Sequence, residues 1–180
     1  MAFNVTEFRA NMIGDGARPN LFSVSLIFPS IVQNGTAAGQ KVTFMAKTAQ
    51  LPGSTIGTVP VYYFGREMKF AGNRTFADWT LQIINDEDFV IRNAMENWMN
   101  SINSHYSNIR NTGAARPSNY SVDAEVTQFS KTGESLKKYK FVGMFPIDLA
   151  PIDLDWGSND AIEEFSVTFA YQWWESQTTT

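Results

Sequence analysis

The chain has 180 residues, 43% of them apolar and 14% aromatic, which is single-domain size with enough apolar material to bury a core. A net charge of -4 argues against a surface built to neutralise phosphates. The absence of cysteine excludes disulfides, thiolate metal sites and a cysteine nucleophile.

No stretch reaches the roughly 20 apolar residues that a membrane helix needs, and the opening MAFNVTEFRANMIGDGARPN lacks a basic region ahead of an apolar core. The expected place of synthesis and assembly is the cytoplasm. Period-two alternation dominates the chain, so strands are predicted first. Phe22, Val24, Leu26 and Phe28 alternate with Leu21, Ser23, Ser25 and Ile27 in a strand closed by Pro29. The next stretch, SIVQNGTAAGQ, carries Asn34-Gly35 and Gly39 and reads as a hairpin loop. Val42, Phe44 and Ala46 then alternate with Lys41, Thr43, Met45 and Lys47 as a second strand, antiparallel to the first. In LPGSTIGTVPVYYFGREMKFAG, proline and glycine repeatedly interrupt β-favouring residues. Residues 51–65 read as an extended arm, with Pro60 at an edge because it lacks a ladder donor, and a short strand follows from Arg66 to Phe70.

Trp79, Leu81 and Ile83 alternate with Thr80, Gln82 and Ile84 in a strand expected to be buried on both faces. Asn85 reads as an N-cap, with Asp86, Glu87 and Asp88 filling the first helical turn, where the helix dipole favours negative charge. Ile91, Met95, Trp98 and Ile102 then lay one apolar stripe along a helix of about four turns. Helix initiation thus accounts for three consecutive carboxylates without acid-base or metal chemistry.

After the polar loop NSHYSNIRNTGAARPSNY, strands from Tyr120 to Phe129 and from Leu136 to Met144 form a hairpin through Lys131-Thr132-Gly133-Glu134. Lys137, Lys138 and Lys140 split between two faces and read as a solvated or edge strand. FPIDLAPIDLDWGSND reads as a connector rich in proline and aspartate. Phe165, Val167, Phe169, Tyr171 and Trp173 line one face of a closing strand. The expectation is a mainly β, antiparallel domain spanning 1–180, with about seven strands and one packed helix.

The search for chemistry assigns no catalytic residue, no cofactor and no metal. His105 is the only histidine, sits in a polar loop, and has no carboxylate and nucleophile arranged beside it in sequence. Asp153, Asp155, Asn159 and Glu164 partly match a calcium loop, but Gly157 and Ser158 break the pattern and a β-turn is expected instead. Glycine-rich phosphate cradles are absent. What remains is aromatic, β-rich and chemically quiet, a chain that binds through its surface or assembles with itself.

Four blocks then carry a resemblance: ARPNLF (Ala17 to Phe22), LPG (Leu51 to Gly53), AGNRTFADWTLQIINDE (Ala71 to Glu87) and LDWGSNDAIEEFSVTFAYQWWE (Leu154 to Glu175). Their residues, order and spacing resemble the tail tube proteins of contractile-tailed, T-even-type bacteriophages, over nearly the whole chain. The resemblance implies a β-sandwich or rolled barrel with one packed helix, whose sheets join between subunits into a lumen-lining β-barrel. It implies hexameric rings, stacked into a tube that conducts DNA, and no enzymatic activity. The implied partners are further copies of the chain, the tail sheath, baseplate and tail-terminator proteins, and the tape measure protein and DNA transiently in the lumen. Neither sequence-specific nucleic-acid binding nor membrane insertion is implied, and the implied location is the virion tail.

Within that frame an N-terminal arm (1–19), the extended arm (51–65) and a polar tail (176–180) flank or leave the core. The extended arm, through Leu51, Pro52, Gly53, Ile56, Val59 and Tyr62, is expected to reach a neighbouring subunit. Arg74 and Asp78 are read as partners across a tight turn and Trp79 as a core anchor beneath the helix, the three forming a joint. Asp123 and Glu125 are candidates to face the lumen, where negative charge would repel a passing polyanion. A tube protein of a type VI secretion system or an extracellular injection particle is the near alternative. A β-sandwich carbohydrate-binding module is the distant one, and it needs an exposed aromatic face to which Trp173 and Trp174, on opposite faces of the last strand, could contribute only one member.

Overall fold

The computed structural model describes residues 4–179, so residues 1–3 of the N-terminal arm and residue 180 of the polar tail lie outside the described residues. In chain order come helix α1 (Val5–Asn11), strand β1 (Phe22–Leu26), helix α2 (Gly35–Met45), and strands β2 (Ala46–Ala49), β3 (Thr55–Tyr63), β4 (Arg66–Thr75) and β5 (Trp79–Ile84). Helix α3 (Val90–Ile102) and the single turn α4 (Pro117–Tyr120) follow, then strands β6 (Val122–Phe129), β7 (Ser135–Leu149), β8 (Glu164–Ala170) and β9 (Trp173–Ser176).

One antiparallel sheet runs in the order β1-β6-β7-β8-β5-β2, and β9 also pairs with β7. The long β7 is its spine. Ala170 pairs with Phe145 and Trp173 with Val142, so β8 and β9 run on along β7 with a break at Tyr171 and Gln172. Opposite that break stands Gly143 at φ 65°, where a Cβ would lie 3.0 Å from Gln172 Cγ; glycine is required by both the backbone angle and the crowding. The sheet bends there and curls on itself, bringing Trp79 of β5 to 4.7 Å from Phe141 of β7 between ring centroids.

Several expectations are corrected. The structure is mixed α/β, with two substantial helices packed on the curled sheet in place of one. No barrel closes among the described residues, because β1 and β2 end the strand order. The connector runs only from Ala150, because the first five residues predicted for it, Phe145 to Leu149, are instead the last part of β7. Pro146 is tolerated there because the β7–β8 register already shifts between Pro146 and Asp148. The closing strand breaks after Ala170, and Trp173 is 45% exposed in place of continuing the buried row of Phe165, Val167 and Phe169. The lysine-rich run is not at an edge. It lies between β6 and β9, with Lys140 2.8 Å from Asp123, Lys138 3.7 Å from Glu125, and Lys137 donating to Thr178 Oγ1 at 2.9 Å.

The second half of the predicted loop, from Gly35, and most of the predicted second strand at Lys41 to Lys47 are helix α2. Its buried face is Gly35, Ala38 and Val42, a helical spacing carried by residues too small to register as a hydrophobic pattern. Gly39 lets the helix close on β1: a Cβ there would come within 2.7 Å of the Leu26 carbonyl oxygen. Period-two alternation misled because Phe44, its strongest apolar member, is 84% exposed. The second strand itself shrinks to β2, which pairs with β5 and not with β1.

The stripe on α3 is as expected: Ile91, Met95 and Trp98 are buried, and Ile102 packs against the core. The helix start is not. Asn85 is buried, donating Nδ2 to Glu163 Oε2 at 2.9 Å, and the helix begins only at Val90, whose N–H is accepted by Asp88 Oδ1 at 3.1 Å. The acids lie ahead of the helix because Lys41 of α2 claims them, at 2.7 Å from Asp86 and 2.5 Å from Asp88. That shared ammonium holds both carboxyls below the usual carboxylate range, and the two carboxylates raise Lys41 in turn.

Because the folded-state carboxyl values are depressed, the clasp stabilises the fold fully above the ordinary carboxylate range and is lost as pH falls through the folded values. Lys41 adds a matching contribution that fades only as pH rises through its raised value. Replacing Lys41 by Met should therefore lower stability at neutral pH and flatten the acid limb, read by urea unfolding at successively lower pH. An acid limb as steep as in the wild type would show that the clasp does not couple α2 to α3.

Candidate assembly surface

β2 pairs with β5 as far as Ala49 and Leu81; beyond a short interruption, β3 pairs with β4 from Thr55 and Thr75 outward. The two pairs form one ribbon whose outer part leaves the sheet. The predicted arm at 51–65 is thus half of a hairpin, and the strand expected from Arg66 to Phe70 continues to Thr75. Its alternation was masked by Gly57, Pro60 and Gly72. In a two-stranded ribbon each strand is an edge, where proline is allowed.

Every residue of β3 is exposed. At nine residues it extends about 30 Å. Cross-strand pairing puts Val59 with Phe70, Val61 with Met68 and Tyr63 with Arg66 on one face. Thr58 with Ala71, Pro60 with Lys69 and Tyr62 with Glu67 occupy the other. One face is therefore apolar and half exposed, with none of the described residues covering it. Isolated two-stranded ribbons are marginal in water, and a contiguous apolar patch marks a surface that meets another molecule. At the tip, Phe64 (φ 45°) and Gly65 (φ 80°) make a two-residue turn with both central residues left-handed.

The root of the ribbon is held by indoles. Trp79 Nε1 donates to the Gln50 carbonyl at 2.8 Å, and Trp174 Nε1 donates to the Gly53 carbonyl at 3.0 Å. Trp79 is buried, stacked near Phe141 and Phe169, while the helix presents its own Trp98 to Phe169. Among the described residues no ion pair joins Arg74 to Asp78: Arg74 Nη1 donates to Ser54 Oγ at 3.4 Å, and the Asp78 charge acts on Tyr171, whose hydroxyl is pushed up by burial and then by that charge. Leu51, Pro52 and Gly53 belong to the root, Ile56, Val59 and Tyr62 to β3. Beside the root, Arg74, Phe76, Trp173, Trp174 and Glu175 line a groove of about 530 Å³. The sequence reading weighed Trp174 only as one face of the last strand and did not single out Phe64, although Phe64-Gly65 between aromatic β-formers is a legible two-residue turn.

Asp123 and Glu125 sit partly exposed in one row of β6, each beside a β7 lysine, while Thr127 farther along that row is buried. Burial pushes the Asp123 carboxyl up, but the Lys140 ammonium and the Gly143 N–H (3.1 Å) outweigh it and hold the group below the usual range. Asp123 is therefore a corner post for the bend in β7 as well as a surface charge. His105 remains in a loop, its N–H donating to Asn100 Oδ1 at 3.1 Å. Asp155 accepts the Gly157 N–H at 3.0 Å, closing the turn expected there. Among the described residues no cluster of His, Asp and Glu could hold a metal ion.

Such a surface, with a projecting apolar ribbon and no reactive cluster, belongs to a protein that assembles. The family model for phage tail tube proteins matches residues 17–177. This chain belongs to the phage tail tube protein family. It is 34% identical over 168 residues to tail tube protein gp19 of Enterobacteria phage T4, covering 93% of this chain and 96% of that one. Its fold is similar to that in the sheath-tube complex of an extracellular contractile injection system (PVC) in the extended state. There the TM-score is 0.60 at 16% identity, covering 98% of this chain and 99% of the other. The sheath/tube terminator of the same system gives a TM-score of 0.64 at 17% identity, covering 90% and 96%. The tail tube protein is thus a structural subunit of a contractile phage tail, a virion component without enzymatic activity.

Truncating Trp79 to Ala in this tail tube protein removes a buried ring and the hydrogen bond that ties down the ribbon root. Chemical denaturation of the monomer should show a loss of roughly 3 to 5 kcal/mol. A loss within about 0.5 kcal/mol, the range of ordinary surface substitutions, would contradict its place in the core.

Proposed function

We propose that this tube subunit forms hexameric rings that stack into the tail tube and conduct DNA through their lumen, with residues 51–75 as the arm that reaches a neighbouring copy. The observation that carries this reading is the β3–β4 ribbon, exposed along its length and apolar on one face. Free edges at β1 and β2 support it as well, since joining sheets between subunits into a lumen-lining barrel removes edges that would otherwise recruit stray strands. The whole of 1–180 works as one tube unit in this reading. The sheath, baseplate and tail-terminator proteins are its outer and end partners, and the tape measure protein and DNA occupy the lumen transiently. The solved structures with similar folds are described as sheath-tube and terminator assemblies, which favours those partners.

Negative-stain microscopy of the purified chain tests the reading, with rings or tubes expected. Joining Ser54 to Phe76 through a two-residue turn, in place of Thr55 to Thr75, removes the ribbon at a paired position. It should leave a folded monomer with unchanged far-ultraviolet circular dichroism per remaining element and no tubes. Normal tubes from that variant would refute the arm.

In the same reading Asp123 and Glu125 face the lumen. Asp123 also holds the Gly143 corner, so Glu125→Gln is the cleaner probe. Removing that charge leaves Lys138 without its acidic neighbour and should slow DNA ejection from particles carrying the variant. Unchanged ejection kinetics would place this face away from the lumen.

A further inference from the structure

The ribbon tip contains a residue that turn chemistry does not select. A two-residue turn with both central residues left-handed favours Asn-Gly, Asp-Gly or Gly-Gly, and a bulky residue at positive φ is a conformational outlier. Phe64 occupies the first central position at φ 45° with its side chain 92% exposed. It neither eases the turn nor fills the core. Its ring meets only the edge of its exposed neighbour Tyr63, 4.5 Å away between centroids, and stays in solvent, so strain retained there points to a contact made elsewhere.

The root groove has the complementary character. Phe76, Trp173 and Trp174 give it aromatic walls, with Arg74 and Glu175 beside them. The tip sets Arg66 and Glu67 next to Phe64, one charge of each sign on each surface. Tip and groove stand at opposite ends of a ribbon about 30 Å long, so they cannot meet within one chain. Between two chains they can, and a contact between two different patches propagates from copy to copy instead of stopping at a dimer.

Resting on the tube-assembly reading, we propose that Phe64 of one copy seats in the groove at the ribbon root of a second copy, with Glu67 facing Arg74 and Arg66 facing Glu175. The groove volume exceeds that of a phenyl ring and leaves room for the flanking charged side chains. Aromatic anchors in pockets rimmed by charge are where binding energy concentrates at protein interfaces.

The test separates folding from assembly. Phe64→Asn gives the turn a favoured residue, so the full-length monomer should melt at the same temperature or higher. The protein concentration needed for tubes, read by light scattering and negative-stain microscopy, should rise about tenfold or more. Glu67→Arg and Arg74→Glu should each raise that concentration, and the two together in one chain should bring it back towards the wild type. Assembly of Phe64→Asn at the wild-type concentration, or a double variant no better than Arg74→Glu alone, overturns the seat while leaving the tube reading intact. A wild-type chain that stays monomeric at every concentration overturns both.

Discussion

Trp79 is the constraint on which the rest of the structure depends. Its ring lies between Phe141 of the spine strand and Phe169 of the neighbouring strand, and its N–H holds the Gln50 carbonyl where the ribbon departs. One side chain therefore belongs both to the core and to the base of the projection. The aromatic contacts continue from it in two directions, through Phe169 to Trp98 and Phe28 beneath the helices, and through Phe141 and Tyr171 to Phe76 in the root groove. Interiors packed at crystal-like density transmit displacement instead of absorbing it, so the ribbon is aimed by the same contacts that close the core.

That arrangement explains why a chain of this size leaves so much apolar surface in water. The buried cluster joins residues from the curled sheet and from α2 and α3. The ribbon shares none of it, for no residue of β3 or β4 is in the buried core. A monomer that folded its ribbon back would hide Val59, Val61 and Phe70 and would lose the exposed apolar face on which the proposed assembly rests. The indole ties from Trp79 and Trp174 hold the ribbon out, using hydrogen bonds to root carbonyls that a folded-back arm would break.

Legibility in the sequence followed the size of the side chains that carried each pattern. β1, β5, the β6–β7 hairpin and the α3 stripe were readable because Val24, Leu81, Val126 and Trp98 repeat at the period of their element and are buried as that period demands. Helix α2 was not, since Gly35, Ala38 and Gly39 pack by being small, and small residues resemble a loop. The acidic run was read by its local fit to a helix start, while its partner, Lys41, is 47 residues away in sequence from Asp88. The arm was legible as an excursion but not as a hairpin, because the pairing of Pro60 with Lys69 is a tertiary fact with no local trace. The tail tube resemblance was carried by extended blocks such as AGNRTFADWTLQIINDE, which span ribbon, root and core together.

The register of β6 and β7 also changes the electrostatic argument that composition suggested. A net charge of -4 invites a picture of a wall that repels a polyanion by unpaired acids. On this face the acids are not unpaired: Asp123 has Lys140 and the Gly143 N–H, and Glu125 has Lys138. Equally, neither of those two lysines stands alone. Binding a phosphate here would require a lysine to leave a carboxylate already beside it, so the attraction that makes nucleic acid stick is cancelled at close range. Beyond about 8 to 10 Å, salt screens what remains. A surface whose opposite charges are interleaved across strands resists adhesion by pairing more than by repulsion, and that property comes from strand register, which no count of charged residues contains.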